Sequence, residues 1–156
     1  MPISPNTSAI AGAIQKIMQG ATVNGQPAYA NTIIGGLKDY TDAMPVGVIL
    51  ITRGSSERYT LGRSAKIHDK PQFSIASVVA YTNASQAEQQ LYAIRDAVIF
   101  LFMQSATLNI AGPVIINVPK DSERWSFPTI NGNKCRAHEF PLQVTYEYTL
   151  PFGPQP

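Results

Sequence analysis

Apolar residues recur at Ile10, Ile14, Ile17 and Met18, the three- and four-residue spacing of one helix face, shortly after Ser4-Pro5, a capping residue followed by proline. The spacing predicts a helix over residues 5–19, stopped by Gly20, and Thr22, Asn24, Gly25 and Pro27 then make a turn-rich connection. Residues 29–34 read as a short strand interrupted by Gly35-Gly36. Residues 46–52 (VGVILIT) form a β-branched run bounded by Pro45 and Arg53-Gly54-Ser55-Ser56, the mark of a buried strand. Residues 72–81 (QFSIASVVAY) read as a second strand, with Phe73, Ile75 and Ser77 on one face. The polar stretch between them, residues 53–71, is too long for a hairpin turn and is expected as a projecting loop or an extended hairpin arm.

Ser85-Gln86-Ala87-Glu88 matches a capping box, in which hydroxyl and carboxylate each satisfy an N–H of the first turn. It predicts a helix over residues 85–104 with Leu91, Ile94, Val98, Leu101 and Phe102 as the stripe that packs on a sheet. Residues 98–103 are apolar on every side, more than one sheet face can bury, so the remainder is covered either by another layer of the monomer or by another subunit. Strands follow at residues 114–118, at 124–130 paired with 135–140 across Asn131-Gly132-Asn133, and at 142–150. In the last, Leu142, Val144, Tyr146, Tyr148 and Leu150 alternate with Gln143, Thr145, Glu147 and Thr149, giving one buried and one wet face. The order implies a single α+β domain over residues 1–150: a mainly antiparallel β-sheet with two helices packed on one face and a long projecting β-hairpin loop. The proline-rich residues 151–156 are expected to be an extended tail.

Composition narrows the function classes. A chain of 156 residues suits one core, and a charged fraction of 14% against about 25% in an average globular protein implies that some surface is covered. A net charge of +2 is too small for wholesale wrapping of nucleic acid. The single Cys135 excludes an internal disulfide and a multi-cysteine metal site. No secretory signal is expected, and the longest apolar run, residues 97–103, is far short of the roughly 20 residues that cross a bilayer as a helix, so no membrane partner is expected either.

Chemistry is sparse. His68 and His138 lack a second ligand at metal spacing, and no GxSxG, GxxxxGK[ST] or GxGxxG pattern is present. No metal, no cofactor and no enzymatic activity are therefore expected. Asp39 and Asp42 stand three apart, as paired carboxylates on a helical turn would, but read first as a solvated loop. Cys135 and His138 fall on opposite faces of a predicted strand, which argues against a thiolate pair. Trp125, Phe127, Tyr146 and Tyr148 read first as core and second as interface anchors. Charge is more telling. Between residues 53 and 70 the five cations Arg53, Arg58, Arg63, Lys66 and Lys70 face only Glu57 and Asp69, a local charge of +3. Such a segment is either a solvated hairpin kept unpaired by its charges, or an arm that docks on an acidic neighbour or lines a passage for DNA.

In length and order of elements the chain resembles the tail terminator and tail-to-head joining proteins of long-tailed, siphovirus-like bacteriophages. The matching pieces are residues 5–19, VGVILIT, the basic 53–71 loop, QFSIASVVAY, SQAEQQLYAIRDAVIFLFM and LQVTYEYTL. The resemblance implies a structural virion protein of the neck, assembled in the host cytoplasm: a homohexameric ring that halts tail-tube growth and joins the tube to a head-side connector or stopper protein. Its partners would be copies of itself, the tail tube protein, that head-side protein and, transiently, passing DNA. The residues assigned to interfaces or channel lining on this basis are Arg53, Arg58, Arg63, Lys66, Lys70, Phe100 and Met103. The alternatives are a head-side connector of the same family, a small-molecule-binding or enzymatic α+β domain, and an accessory nucleic-acid binder.

Overall fold

The computed structural model describes residues 7–37, 40, 42–61, 64–110, 114–119 and 122–151, with side-chain placements for all of these except residues 53, 55–61, 64–66 and 148–151. Ser4-Pro5, Asp39, Arg63 and residues 152–156 lie outside the described residues. Helix α1 covers Thr7–Gln19 and buries Ile10, Ala11, Ile14 and Met18. Gly20 ends it, donating to the carbonyls of Lys16 and Ile17. The turn-rich connection contains two minimal strands, β1 (Thr22–Val23) and β2 (Gln26–Pro27), hinged at Asn24-Gly25 with both residues at positive φ. That geometry is the hairpin turn whose twist matches the strands it joins.

The main sheet contains β3 (Asn31–Ile34), β4 (Val46–Leu61), β5 (Ser64–Ala80), β6 (Val114–Asn117), β7 (Arg124–Ser126), β8 (Thr129–Ile130) and β9 (Asn133–Pro151). Its order is β3-β4-β5-β9, with β8, β7 and β6 lying successively along the outer side of β9. All pairs are antiparallel except β3 with β4, which is parallel. The architecture is the expected α+β one: both helices cover one sheet face, α1 against β3 and β4, α2 (Ala84–Gln104) against β5 and β9.

Strand alternation assigns the two faces. Ile49, Phe73, Ile75, Val79, Phe140, Leu142, Val144 and Tyr146 point to the helices and join Ile10, Ile14, Met18, Leu91, Ile94, Val98 and Phe102 in the main core. Ser77 also turns inward, and its hydroxyl meets the buried Tyr29 hydroxyl at 2.6 Å, so neither polar group is stranded. Val46, Val48, Val78, Cys135 and Ala137 point the other way, into a smaller cluster closed by Tyr40, Ile130, Leu37 and Met44. The segment after β3 thus folds back over the second face. Tyr40 fixes it at both ends, donating its hydroxyl to the Ala43 carbonyl and accepting from the Asn131 side chain at the Asn131-Gly132 turn.

Three expectations are corrected. Helix α2 is capped by Asn83, not Ser85: the Asn83 side chain accepts from the Gln86 N–H, and the helix starts at Ala84. Asn83-Ala84-Ser85-Gln86 has the capping-box pattern two residues earlier, and using it adds the hydrogen bond from Ala87 N–H to the Asn83 carbonyl. The run at 46–52 is buried only through Ile49; Leu50, Ile51 and Thr52 are exposed because β3 has already ended. The strands read at 135–140 and 142–150 are one strand, β9. Its Pro141 falls in the gap between β7, whose Arg124 lies opposite Glu139, and β6, whose last residue Asn117 lies opposite Gln143, where a missing N–H is tolerated.

Gly47 lies under α1, where an added Cβ would come 2.7 Å from the buried Met18 Cε and 3.1 Å from the Tyr29 ring. Gly47→Val is expected to lower the unfolding free energy by about 1–3 kcal/mol. Gly54→Ala, whose nearest neighbour is the Pro71 Cα at 3.5 Å, should stay within about 0.5 kcal/mol of the parent in the same urea titration.

Candidate functional site

The basic segment is a hairpin, as expected, and its arm has a third strand. Beyond the bulge between Ile51 and Arg53, β4 pairs with β5 to the tip at Leu61 opposite Ser64, while β9 follows β5 outward to Pro151. Past Tyr146, where β6 stops, the strands that continue among the described residues are β4, β5 and β9, for about five residues or roughly 16 Å at about 3.3 Å per residue. Arg53 stands opposite Gln72, Arg58 opposite Ile67, Lys66 opposite Tyr59 and Thr149, and Lys70 opposite Ser55. Lys70 is exposed. On the same ribbon His68 Nε2 meets a Glu147 carboxylate oxygen at 2.6 Å.

Phe100 and Met103 sit on the outward stripe of α2 with Tyr92 and are 60%, 65% and 49% exposed respectively. Ile99 and Leu101, on the flanks of the same turn, pack partly against the core. The helix runs back along β5. It starts beside the end of that strand and finishes where Phe102 packs on Phe140, 6.1 Å between ring centres, and where Ala106 accepts from the Ile116 N–H on β6. The exposed apolar helix end and the root of the arm are therefore at the same end of the sheet. The fold thus places Phe100 and Met103 toward the end of the sheet from which the strands bearing Arg53, Arg58, Lys66 and Lys70 depart.

A second surface was not foreseen. Trp125 and Phe127 are not core: they are 38% and 50% exposed, whereas Tyr146 is buried as expected. The guanidinium of Arg136 stacks 4.3 Å from the Phe127 ring and 5.5 Å from that of Trp125, and Lys134 lies 5.0 Å from Phe127 and 4.8 Å from Tyr81. Tyr92 meets Trp125 edge-on at 5.3 Å, so this row joins the outer stripe of α2. Glu88 holds Arg136 at 2.6 Å. The sequence signal was available: Trp125/Phe127 and Lys134/Arg136 each alternate by two on either side of an Asn-Gly turn, which puts aromatic and cationic side chains on one face of a hairpin.

Beneath Trp125 lies a partly buried ionisable chain, with His138 at its buried end. Glu123 accepts Nε and Nη2 of Arg95 at 2.5 and 2.8 Å, and its Oε1 lies 2.7 Å from His138 Nε2. The Arg95 guanidinium holds the Glu123 carboxyl down to about 2, and burial pushes the His138 imidazole below its ordinary range. His138 is thus neutral with its proton on Nε2, donating to the carboxylate, and its unpartnered buried Nδ1 is the lone-pair nitrogen. The Trp125 ring, 4.5 Å away, covers the imidazole, so the chain orients the loop bearing Glu123 against β9 and α2.

Cys135 and His138 do face opposite sides of β9, as expected. Burial raises the Cys135 thiol pKa, and the thiol donates to the Asn133 carbonyl, which makes it a poor nucleophile. A groove of about 390 Å3 passes beside it, lined among others by Tyr40, Asp42, Met44, Tyr81 and Lys134. Among the described residues no group of three or more His, Cys, Asp or Glu could hold a metal ion, and no helix is long and apolar enough to cross a membrane. Compared with known proteins, the chain matches no protein-family model and no curated protein.

The linkage of these charges to stability has a definite sign. His138 is favoured neutral in the fold, so its contribution is full above its unfolded value near 6.5 and declines as pH falls below that. The Glu123 contribution is full above 4.5 and is lost as pH falls toward 2. Unfolding midpoints in urea should therefore drop in two stages on acidification. Glu123→Gln should cost about 1–3 kcal/mol at pH 7 and flatten the lower stage; an unchanged profile would contradict the assignment.

Proposed function

We propose that the chain is a structural protein of the neck of a long-tailed bacteriophage, which forms a homohexameric ring that ends the tail tube and joins it to the head-side connector or stopper. One observation carries the reading. Phe100 and Met103, one turn apart at the end of α2, form an exposed apolar pair on the side of the sheet from which the three-stranded arm departs, in a chain with an unusually low charged fraction. Single exposed hydrophobes are ordinary, but two large ones adjacent on the last turns of one helix favour a surface that is covered. A closed ring covers it with no surplus, because each subunit offers one patch to the neighbour on one side and receives the complementary patch from the other.

The mechanism is steric and physical. Tube growth stops because the far side of the ring offers no surface to another tube subunit. On this reading the arm, with Arg53, Arg58, Arg63, Lys66 and Lys70, docks on an acidic neighbour or borders the passage, where its cations meet DNA phosphates transiently and without reading bases. The protein resides in the virion neck after assembly in the host cytoplasm. A head-side connector of the same family differs in position alone, and immuno-electron microscopy of particles distinguishes the two.

Light scattering of the purified chain, alone and with tail tube subunits, should give a ring-sized oligomer visible in micrographs. Phe100→Glu combined with Met103→Glu should weaken that association by at least about tenfold while leaving monomer stability within about 0.5 kcal/mol, since both side chains are already in water. A chain that remains monomeric even with tube subunits present would overturn the reading.

A further inference from the structure

Strand β3 stops covering β4 at Ile34, opposite Ile49. There Gly35, at φ 124°, donates to the Ile49 carbonyl and turns the chain off the edge, a conformation open to glycine. From Leu50 to Leu61, β4 has β5 on one side and, among the described residues, no strand on the other. Ile34, Leu50 and Ile51 are 52%, 42% and 55% exposed at this step. Consecutive strand residues point to opposite faces, so Leu50 and Ile51 leave both faces of the edge apolar. A helix or loop laid on one face would cover only one of them. Added extended backbone covers both and satisfies the open row of N–H and C=O groups.

The occupant is indicated by the other side of the same sheet. Beyond Tyr146, where β6 stops, no described strand flanks the outer side of β9 from Tyr148 to Pro151, and on β6 itself Ile115 is 63% exposed. Register carries height across the sheet: Arg58, Ile67 and Tyr148 are level, and so are Arg53, Gln72, Gln143 and Asn117. Copies related by rotation about a ring axis hold equivalent residues at equal height. With the strands running along that axis, the end of β9 in one copy comes beside residues 58–61 of the next and β6 comes beside residues 53–56, Ile115 falling level with Ser55, one β-bulge away from Leu50 and Ile51.

We propose that the outer edge of β4 receives the β6–β9 side of a second copy of this chain, making one sheet continuous from subunit to subunit. The inference rests on the ring reading and specifies its joint. Hydrogen–deuterium exchange on assembled and dilute protein tests it. Amides in residues 50–61 and 148–150 should slow by tenfold or more on assembly, and Leu50→Lys with Ile51→Lys should raise the concentration needed for assembly at least tenfold without shifting the monomer melting curve. An oligomer in which those amides exchange at monomer rates overturns the joint and leaves the ring standing. Protection of 50–61 without 148–150 also overturns it, in favour of β4 pairing with itself in a dimer. A chain that is monomeric at every concentration, with or without tube subunits, removes both the joint and the ring.

Discussion

Strand β5 is paired on both edges over nearly its whole length, with β4 on one side and β9 on the other, and this double pairing carries the ribbon, across the bulge between Ile51 and Arg53, from the helix-covered body to the arm tip. An isolated two-stranded hairpin of this length would be marginal in water, since it has too little surface to bury for the entropy it loses. The third strand changes that balance, and the buried root changes it further. Phe73 and Ile75 lie in the main core on the same strand that carries Lys66, His68 and Lys70 outward, so the arm inherits its register and direction from the packing of the body.

The same strands explain why the two faces are unequal. A period of two sends Ile49, Ile75 and Phe140 to one side and Val48, Val78 and Ala137 to the other, and both sets are buried, yet two helices cover only the first. The second is covered by the segment that follows β3, tied down through Tyr40 to the Asn131-Gly132 turn. Among the described residues that cover ends early. Leu50 and Ile51 stand where the cover runs out.

Much of this was legible locally. The helical spacing of Ile10, Ile14 and Met18, the Asn-Gly turn at 131–132 and the alternation from Leu142 to Tyr146 each depend on near neighbours, and each appears in the fold as read. What was not legible depends on distant partners. Whether Leu50 is buried is decided by where β3 ends, at Ile34, distant in the chain and beside it in space. Whether Trp125 is core or surface is decided by β7 being a three-residue edge strand whose aromatic side chains stack on Arg136 and Tyr92. The cap of α2 was ambiguous for a different reason: Asn83-Ala84-Ser85-Gln86 and Ser85-Gln86-Ala87-Glu88 both satisfy the box, and the choice turns on one additional backbone hydrogen bond. The site residues show the same division, since Phe100 and Met103 were legible as surplus, but their position at the arm root was not.

The end of α2 poses the sharpest physical question in the molecule, because its last turns are apolar on the outside while its first turns are polar there. Gln86, Gln89 and Gln90 face water beside β1 and β2, whereas Phe100 and Met103 face water beside the arm. A helix needing only to stabilise its own monomer gains nothing from that gradient: the outward stripe could be polar throughout, and the core residues Leu91, Ile94, Val98 and Phe102 would pack unchanged. The gradient follows the sheet instead. Phe100 and Met103 on the helix, Ile34, Leu50 and Ile51 at the β3 step and Ile115 on β6 are exposed toward the end where the three-stranded arm departs. Toward the other end the exposed apolar groups are the rings of Tyr92, Trp125 and Phe127, and there Lys134 and Arg136 lie over the aromatic faces, so the two ends carry surfaces of different chemistry, bare apolar area at one and aromatic–cation stacks at the other.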